Sequence, residues 1–242
     1  MNANDSAKRN RRAFILAGIA TWALSLAASA ADVAAKLKIG VIGSGRIGGT
    51  VGELWAKAGH DVMFSSLDLE ADKKLAARVG AKAGTPAEAA AFGEVLLISV
   101  PYKALPQLGR DLAGSIKGKV VLDTANPYPE RDGEMAVAVR AKGTGVASPE
   151  FLPGARLVRA FNSVGWTKLQ SEAHRAGDKV AIPLAADDPA ALRIAMRLVR
   201  DAGFEPVVVG GLARAKEFDV GTPVYGKALT AAELRKGLGI ER

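Results

Sequence analysis

The stretch Lys38-Ile39-Gly40-Val41-Ile42-Gly43-Ser44-Gly45-Arg46-Ile47-Gly48 joins a short apolar strand directly to a glycine turn and a helix start. Leu37 to Ile42 has the pattern of a buried strand, and Ile47 to Ala58 carries Val51, Leu54 and Trp55 at helical spacing. Each glycine has its own task in such a unit. Gly43 permits the tight turn, Gly45 lets the backbone approach a bound group, and Gly48 lets the helix pack closely on its strand. The first N–H groups of a helix have no partner inside it, which suits them to the pyrophosphate of a dinucleotide. Gly43, Ser44, Gly45, Arg46, Ile47 and Gly48 are therefore the first candidates for cofactor contact.

On either side of that unit the sequence keeps alternating. Gly59 stops the first helix, Asp61 to Ser65 reads as a second strand, and Asp68 to Val79 as a helix with a charged outer face. Thr85-Pro86-Ala87-Glu88 is a capping box that opens another helix. Further strands are expected over Glu94 to Val100, stopped by Pro101, and over Lys119 to Thr124. Arg156 to Phe161, Lys179 to Ala185 and Phe204 to Val209 complete the set. Asp188-Pro189 caps a helix with Leu192, Ala195, Met196 and Val199 on one face, and Thr230-Ala231-Ala232-Glu233 is a second capping box in the tail. Strands alternating with helices predict an α/β fold: a Rossmann-type, doubly wound, mainly parallel sheet. Residues 36–150 are expected to form the dinucleotide-binding domain, and 151–242 a small C-terminal α/β extension and tail on the same sheet. That tail is also a candidate for a homodimer contact.

Residues 1–30 stand apart from this pattern. Lys8, Arg9, Arg11 and Arg12 form a basic head, Ala13 to Leu26 is apolar, and Ala28-Ser29-Ala30 has the small-x-small form of a cleavage site. Asn10-Arg11-Arg12-Ala13-Phe14-Ile15-Leu16 resembles a twin-arginine signal, which predicts use of the twin-arginine export machinery and a periplasmic or extracytoplasmic address. The alternatives are that the segment is kept as a membrane anchor, or that the start is mis-assigned, which would leave the chain in the cytoplasm. The four basic residues and one acid of this segment take the formal net charge from +8 to +5 when removed. With no basic run interleaved with aromatics, nucleic-acid binding is not expected. The chain has no cysteine and two histidines, which excludes disulfides and thiolate zinc sites and predicts no metal site. His60 and His174 read as structural or surface residues, and no serine, histidine and acid constellation is present for nucleophilic catalysis.

In doubly wound sheets ligands bind beyond the carboxyl ends of the strands, where the strand order reverses. That rule selects Ser65 and Ser66 after the second strand, Val100, Pro101 and Tyr102 at the end of Glu94 to Val100, Thr124 to Pro127 with Asn126 and Pro127 at the end of Lys119 to Thr124, and Ala160, Phe161 and Asn162 at the end of Arg156 to Phe161. Cofactor choice turns on the end of the second strand, where an NAD site places a carboxylate about 20 residues beyond the glycines. Ser65 and Ser66 stand there without an acid beside them in sequence, which favours NADP over NAD. Arg46 is a further candidate for a phosphate contact.

The segments Ile39 to Gly48, Ala58 to Val62, Ile98 to Tyr102, Ala125-Asn126-Pro127 and Leu157 to Asn162 together resemble the F-420-dependent NADP reductases and the dinucleotide-binding oxidoreductases around them. The resemblance runs from Leu37 to about Gly210. It implies NADP(H) as cofactor and direct hydride transfer between the nicotinamide and a small-molecule acceptor, either the deazaflavin coenzyme F-420 or a flavin. Tyr102, Asn126, Phe161 and Asn162 would then shape the nicotinamide site by positioning, with no catalytic acid or base. In that family an arginine follows the serine at the end of the second strand; here Leu67 follows Ser66, and Lys73 or Lys74 would have to compensate. Two other readings compete. A hydroxyacid or imine dehydrogenase of the pyrroline-5-carboxylate type shares the glycine signature but follows it with a helical domain, and a non-catalytic NADP-binding sensor or carrier would need only the binding residues.

Overall fold

The computed structural model describes residues 36–240, so the expected export signal at residues 1–30 lies outside the described residues. Leu37–Arg242 is one compact unit. At its centre β1 (Lys38–Ile42), buried from Ile39 onward, pairs in parallel with β2 (Asp61–Ser65) on one side and β4 (Val95–Ile98) on the other. A two-residue strand, β3 (Lys82–Ala83), extends the β2 edge. Beyond β4 come β5 (Val120–Asp123), β6 (Arg156–Arg159), β7 (Ala181–Ala185) and β8 (Glu205–Gly210), giving the order β3-β2-β1-β4-β5-β6-β7-β8. Every neighbouring pair is parallel except β6 and β7, which meet antiparallel at the last residue of each, Arg159 beside Ala185. The chain builds outward from β1 to β3, returns, and builds the other way from β4. The strand order therefore reverses between β1 and β4, at the glycine turn.

Because side chains alternate across a strand, Ile39, Val41 and Leu97 enter one core layer and Ile42, Leu96 and Ile98 the other. The first layer packs under α1 (Arg46–Lys57) and α10 (Pro189–Asp201). Trp55 of α1 is fully buried there, and its indole N–H donates to the Leu198 carbonyl at 2.7 Å, tying the two helices together. The buried face of α10 is Ala191, Ala195, Leu198 and Val199, turned slightly from the expected stripe so that Leu192 and Met196 lie half-buried at its edge. Small alanines on the sheet side let the helix axis come close to β5 through β8. The second layer lies under α3 (Pro86–Phe92) and a run of short helices: α4 (Leu105–Asp111), α5 (Ala113–Ile116), α6 (Pro129–Asp132), α7 (Glu134–Lys142) and α8 (Thr144–Phe151).

The remaining helices are α2 (Leu69–Val79) after β2, α9 (Trp166–Glu172) after β6 and α11 (Ala231–Leu238) in the tail. Both expected capping boxes are complete: Thr85 with Glu88 opens α3, and Thr230 with Glu233 opens α11. The strand expected over Arg156 to Phe161 stops at Arg159, because Phe161 takes φ 56° and turns its ring into the core. There it stands edge-on to Trp55 at 5.9 Å and to Phe204 at 6.3 Å. His60 is structural: Nδ1 accepts from the Leu37 N–H at 3.2 Å and Nε2 lies 2.9 Å from Asp201, joining the start of β1 to the end of α10.

Candidate active site

The glycine turn is set by backbone contacts. Gly43 has φ +94°, and a Cβ on it would stand 2.3 Å from the Ser99 carbonyl oxygen at the end of β4. A Cβ on Gly48 would meet the Gly43 carbonyl oxygen at 2.1 Å, whereas one on Gly45 would meet nothing within 4 Å. The first two glycines thus hold the turn against its neighbours, and the third leaves open space in front of it. Gly45 is the N-cap of α1 and gives it no side-chain cap, so the first-turn N–H groups face that space uncapped.

Ser65 does not face the cofactor, contrary to the sequence expectation. It is fully buried, its hydroxyl donates to the Val41 carbonyl at 2.8 Å, and its own carbonyl accepts from the N–H groups of Gly43 and Ser44 at 2.8 and 3.0 Å. It fastens the turn to β2. Ser66 does reach the surface, in a cleft of about 790 Å³ that Ser44, Gly45, Arg46, Asp72, Lys74 and Arg78 also line. The absence of an acid at this place, read from the sequence, is also corrected. Asp72 of α2 folds back beneath it, 1% exposed, accepting from the Ser44 hydroxyl and lying 2.9 and 3.0 Å from the Ser66 hydroxyl. Leu67, the departure from the family pattern, is fully exposed at the rim. Of the two lysines, Lys74 lines the cleft, while Lys73 pairs with Glu70 at 2.7 Å.

A second cleft of about 720 Å³ opens over the carboxyl ends of β4, β5 and β6. Arg46, Ile47, Val100, Pro101, Asn126, Phe161 and Asn162 all line it, as the strand-end rule selects. Tyr102, Pro127 and Ala160 do not. Tyr102 is fully buried with its hydroxyl 2.8 Å from that of Ser148; burial, then the charge of Asp123, push its pKa above the ordinary tyrosine range. Ala160 is buried between strands, and Pro127 is buried behind Asn126. The two clefts share Arg46 and Trp166, whose guanidinium and indole stack with 5.5 Å between guanidinium carbon and ring centroid.

Two polar features mark the second cleft. Asn162 is 4% exposed and neither its Oδ1 nor its Nδ2 has a protein partner, and the Asn126 Oδ1 is unpartnered too. A buried amide without a partner costs free energy that a ligand can return. Asn126 Nδ2 is committed, donating to the Asn162 carbonyl at 2.7 Å and to the Tyr225 hydroxyl at 3.2 Å. Tyr128 and Tyr225, whose hydroxyls bond each other, line the same cleft. Beneath its floor Arg159, fully buried, pairs with Asp123 at 2.6 Å and lies 3.7 Å from Asp219. Burial opposes its charge, but Asp123 and Asp219 outweigh that and hold its pKa above the ordinary arginine value.

Sequence reading missed Asp72, Tyr128, Trp166 and Tyr225. Tyr128 directly follows Asn126-Pro127 and could have been taken with it; Asp72 is one face of α2 away from Ser66. Nothing local marks Tyr225, which arrives from the tail.

Residues 38–127 match the family model described as NADP oxidoreductase, coenzyme F420-dependent. An F420-dependent NADP reductase from Methanothermobacter thermautotrophicus is 28% identical over 204 residues, spanning 78% of this chain and 87% of that protein. Among solved structures, a hypothetical protein of Sinorhizobium meliloti superposes with TM-score 0.71 at 22% identity, covering 81% of this chain and 96% of its own. A putative F420-dependent NADP reductase of Arthrobacter sp. FB24 gives TM-score 0.64 at 22% identity, covering 74% and 87%. These matches bear out the resemblance to the F420-dependent NADP reductases and the Rossmann-like α/β fold.

Proposed function

We propose that this chain is an NADPH-dependent oxidoreductase that passes a hydride between NADP(H) and a deazaflavin or flavin-type acceptor. The observation that carries this reading is the pair of clefts that meet at Arg46 and Trp166 above the uncapped start of α1. Each has the volume of a small-molecule site. The residues fit a dinucleotide laid across both. The α1 N–H groups and Arg46 would hold the pyrophosphate, Lys74 and Arg78 would supply positive charge to the adenosine end, and the unpartnered amide of Asn162 would meet the nicotinamide end. NADPH, when bound, supplies the hydride, and the protein's part is proximity, orientation and exclusion of water. Val100 and Pro101 give the cleft an apolar wall suited to such a transfer.

The matched family model and the curated relative support NADP(H) and a deazaflavin as the reacting pair. The dehydrogenase alternative has less support, because β6 through β8 continue one sheet and no separate helical domain follows among the described residues. No observation of its own favours the non-catalytic sensor or carrier. Export by the twin-arginine route belongs to this proposal and is supported by the sequence of residues 1–30. A homodimer contact through the tail has no such support, since α11 turns Leu234 onto its own β7 and β8.

The test is to purify the protein, titrate NADPH and NADH, and follow NADPH oxidation with a deazaflavin, FMN, FAD and ferric chelates in turn. Tighter binding of NADPH and turnover with a deazaflavin or flavin are expected. Turnover of a 3-hydroxy acid or of pyrroline-5-carboxylate in their place would overturn the reading.

A further inference from the structure

We propose that Tyr128 and Tyr225 form a hydroxyl pair that donates a hydrogen bond, and then a proton, to the hydride acceptor in the second cleft. The proposal rests on the reading above and adds to it the acid that the sequence did not reveal. Tyr128 leaves the end of β5, held by its N–H donating to Asp132 at 2.9 Å. Tyr225 comes from the tail, where the next residue, Gly226, donates its N–H to the Ser163 carbonyl at 2.7 Å. Two distant segments are thus pinned so that both hydroxyls meet in a ligand-sized cleft beside the unpartnered amide of Asn162.

Counting protons gives the pair its function. Each phenol has one hydrogen and can accept more than one. One hydrogen joins the two hydroxyls, and Asn126 Nδ2 adds a donation to Tyr225 from outside. Whichever hydroxyl donates within the pair, the other keeps its hydrogen, and no acceptor for it is found among the described residues. That O–H is free for a ligand. Burial, then the Tyr128 hydroxyl, push the Tyr225 pKa above the ordinary tyrosine range, with Asp219 adding to the rise and Arg159 opposing it. Arg131, its guanidinium carbon 5.1 Å from the Tyr128 ring centroid, and Lys168 and Arg46 on the cleft wall are the other charged groups around the pair. Tyr225 is therefore protonated at neutral pH, the state a donor requires.

Hydride transfer would break a C–H bond on the reduced nicotinamide, form a C–H bond on a deazaflavin ring or an N–H bond on a flavin ring, and leave that ring one negative charge richer. One phenolic O–H bond breaks as its proton passes to the anionic nitrogen or oxygen of the ring. Water returns a proton to the phenolate through the second hydroxyl. No electrons beyond the hydride pair move.

The experiment compares the full chain with Tyr128→Phe, Tyr225→Phe and the double variant, each keeping its ring. Three quantities are read: the Kd of NADPH, the Kd of 5-deazariboflavin or FMN by fluorescence quenching without NADPH, and the rate and solvent deuterium isotope effect of NADPH oxidation. In the double variant acceptor binding should weaken about tenfold, and the rate should fall about a hundredfold with loss of the isotope effect. The Kd of NADPH, held mainly in the first cleft, should change much less than that of the acceptor, and each single variant should lose less. Unchanged acceptor affinity in the double variant, or failure of the wild-type protein to bind either acceptor, overturns the proposal. If the wild-type protein never oxidises NADPH yet loses acceptor affinity with the tyrosines, the hydride-transfer reading fails and the donor pair stands.

Discussion

At Asp72 a single buried carboxylate works against the charge that its cleft otherwise gathers. Arg46, Lys74 and Arg78 line that cleft, and Arg78 is partly engaged by an ion pair with Glu53. Asp72 accepts from the Ser44 and Ser66 hydroxyls, so those donors would be turned away from a 2′-phosphate bound in this cleft and a negative charge would lie beneath it. A carboxylate close to a phosphate costs binding free energy, and 1.4 kcal/mol is a tenfold change in affinity. Asp72→Asn should therefore raise the preference for NADPH over NADH by about three- to tenfold, read as the ratio of the two Kd values by titration. A lower ratio would mean that Asp72 orients Ser44 and Ser66 toward the phosphate and that its charge is secondary. Ser66 was readable as a site residue because it ends a strand at the right distance from the glycines. Asp72 was not, because it sits in the first turn of a helix with a charged outer face, where an acid is ordinary, and only the fold of that helix shows it pointing inward.

Where β5 and β6 end, Asp123 and Arg159 form an ion pair at 2.6 Å that is fully buried on both sides. It fixes the floor from which Thr124, Asn126 and Asn162 rise, and it reaches Asp219 of the tail, which in turn accepts from the Thr144 hydroxyl at 2.6 Å. Removing one member of a buried pair strands the other charge, at a cost of about 3–5 kcal/mol. Asp123→Leu should lose about that much stability in urea unfolding, whereas Asp123→Leu with Arg159→Met should lose clearly less, because the fully buried guanidinium is gone and the charge left over, Asp219, is partly exposed and keeps its Thr144 hydrogen bond. Equal losses would mean that packing, not charge, dominates there. The elements that sequence predicted well are those with local signals: the apolar strands β1, β2 and β5, and α3 and α11 with their capping boxes. The short helices α4 to α8 carry no such signal. Gly133 and Gly143 interrupt them, Pro149 lies inside α8, and α8 is held mainly by contacts with α4, α7 and the turn at Leu212–Glu217. Their shape is decided by tertiary packing, which overrides weak local preference.

Across the molecule, the sheet brings together residues that the sequence keeps far apart. The first cleft comes from the loops after β1 and β2 with one face of α2, and the second from the ends of β4, β5 and β6 with a tyrosine from the tail. The doubly wound α/β class was legible in the alternating pattern, and with it the strand ends around which the site lies, whereas the reversal between β1 and β4 is seen only in the sheet. Closure of the second cleft by Tyr225 depends on a tail whose position is set by Phe218, Val224 and Leu234 packing on β7 and β8, and no local pattern announces that. A dinucleotide spanning both clefts would bind the compact unit in its folded form only, so its binding free energy adds to stability. At a hundred times its Kd, NADPH should add about 2.7 kcal/mol. For a unit of this size that raises the melting temperature by about 5–10 °C. Trp166, stacked on Arg46 where the clefts join, should report the same event by fluorescence quenching, and Trp166→Leu should abolish most of the signal while the thermal shift shrinks. Adenosine 2′,5′-bisphosphate and nicotinamide mononucleotide each fill one cleft only, so each should bind far more weakly than NADPH and stabilise less at equal concentration. If either half alone matches NADPH in affinity, the ligand does not bridge the two clefts, and the hydride-transfer geometry built on that bridge is lost with it.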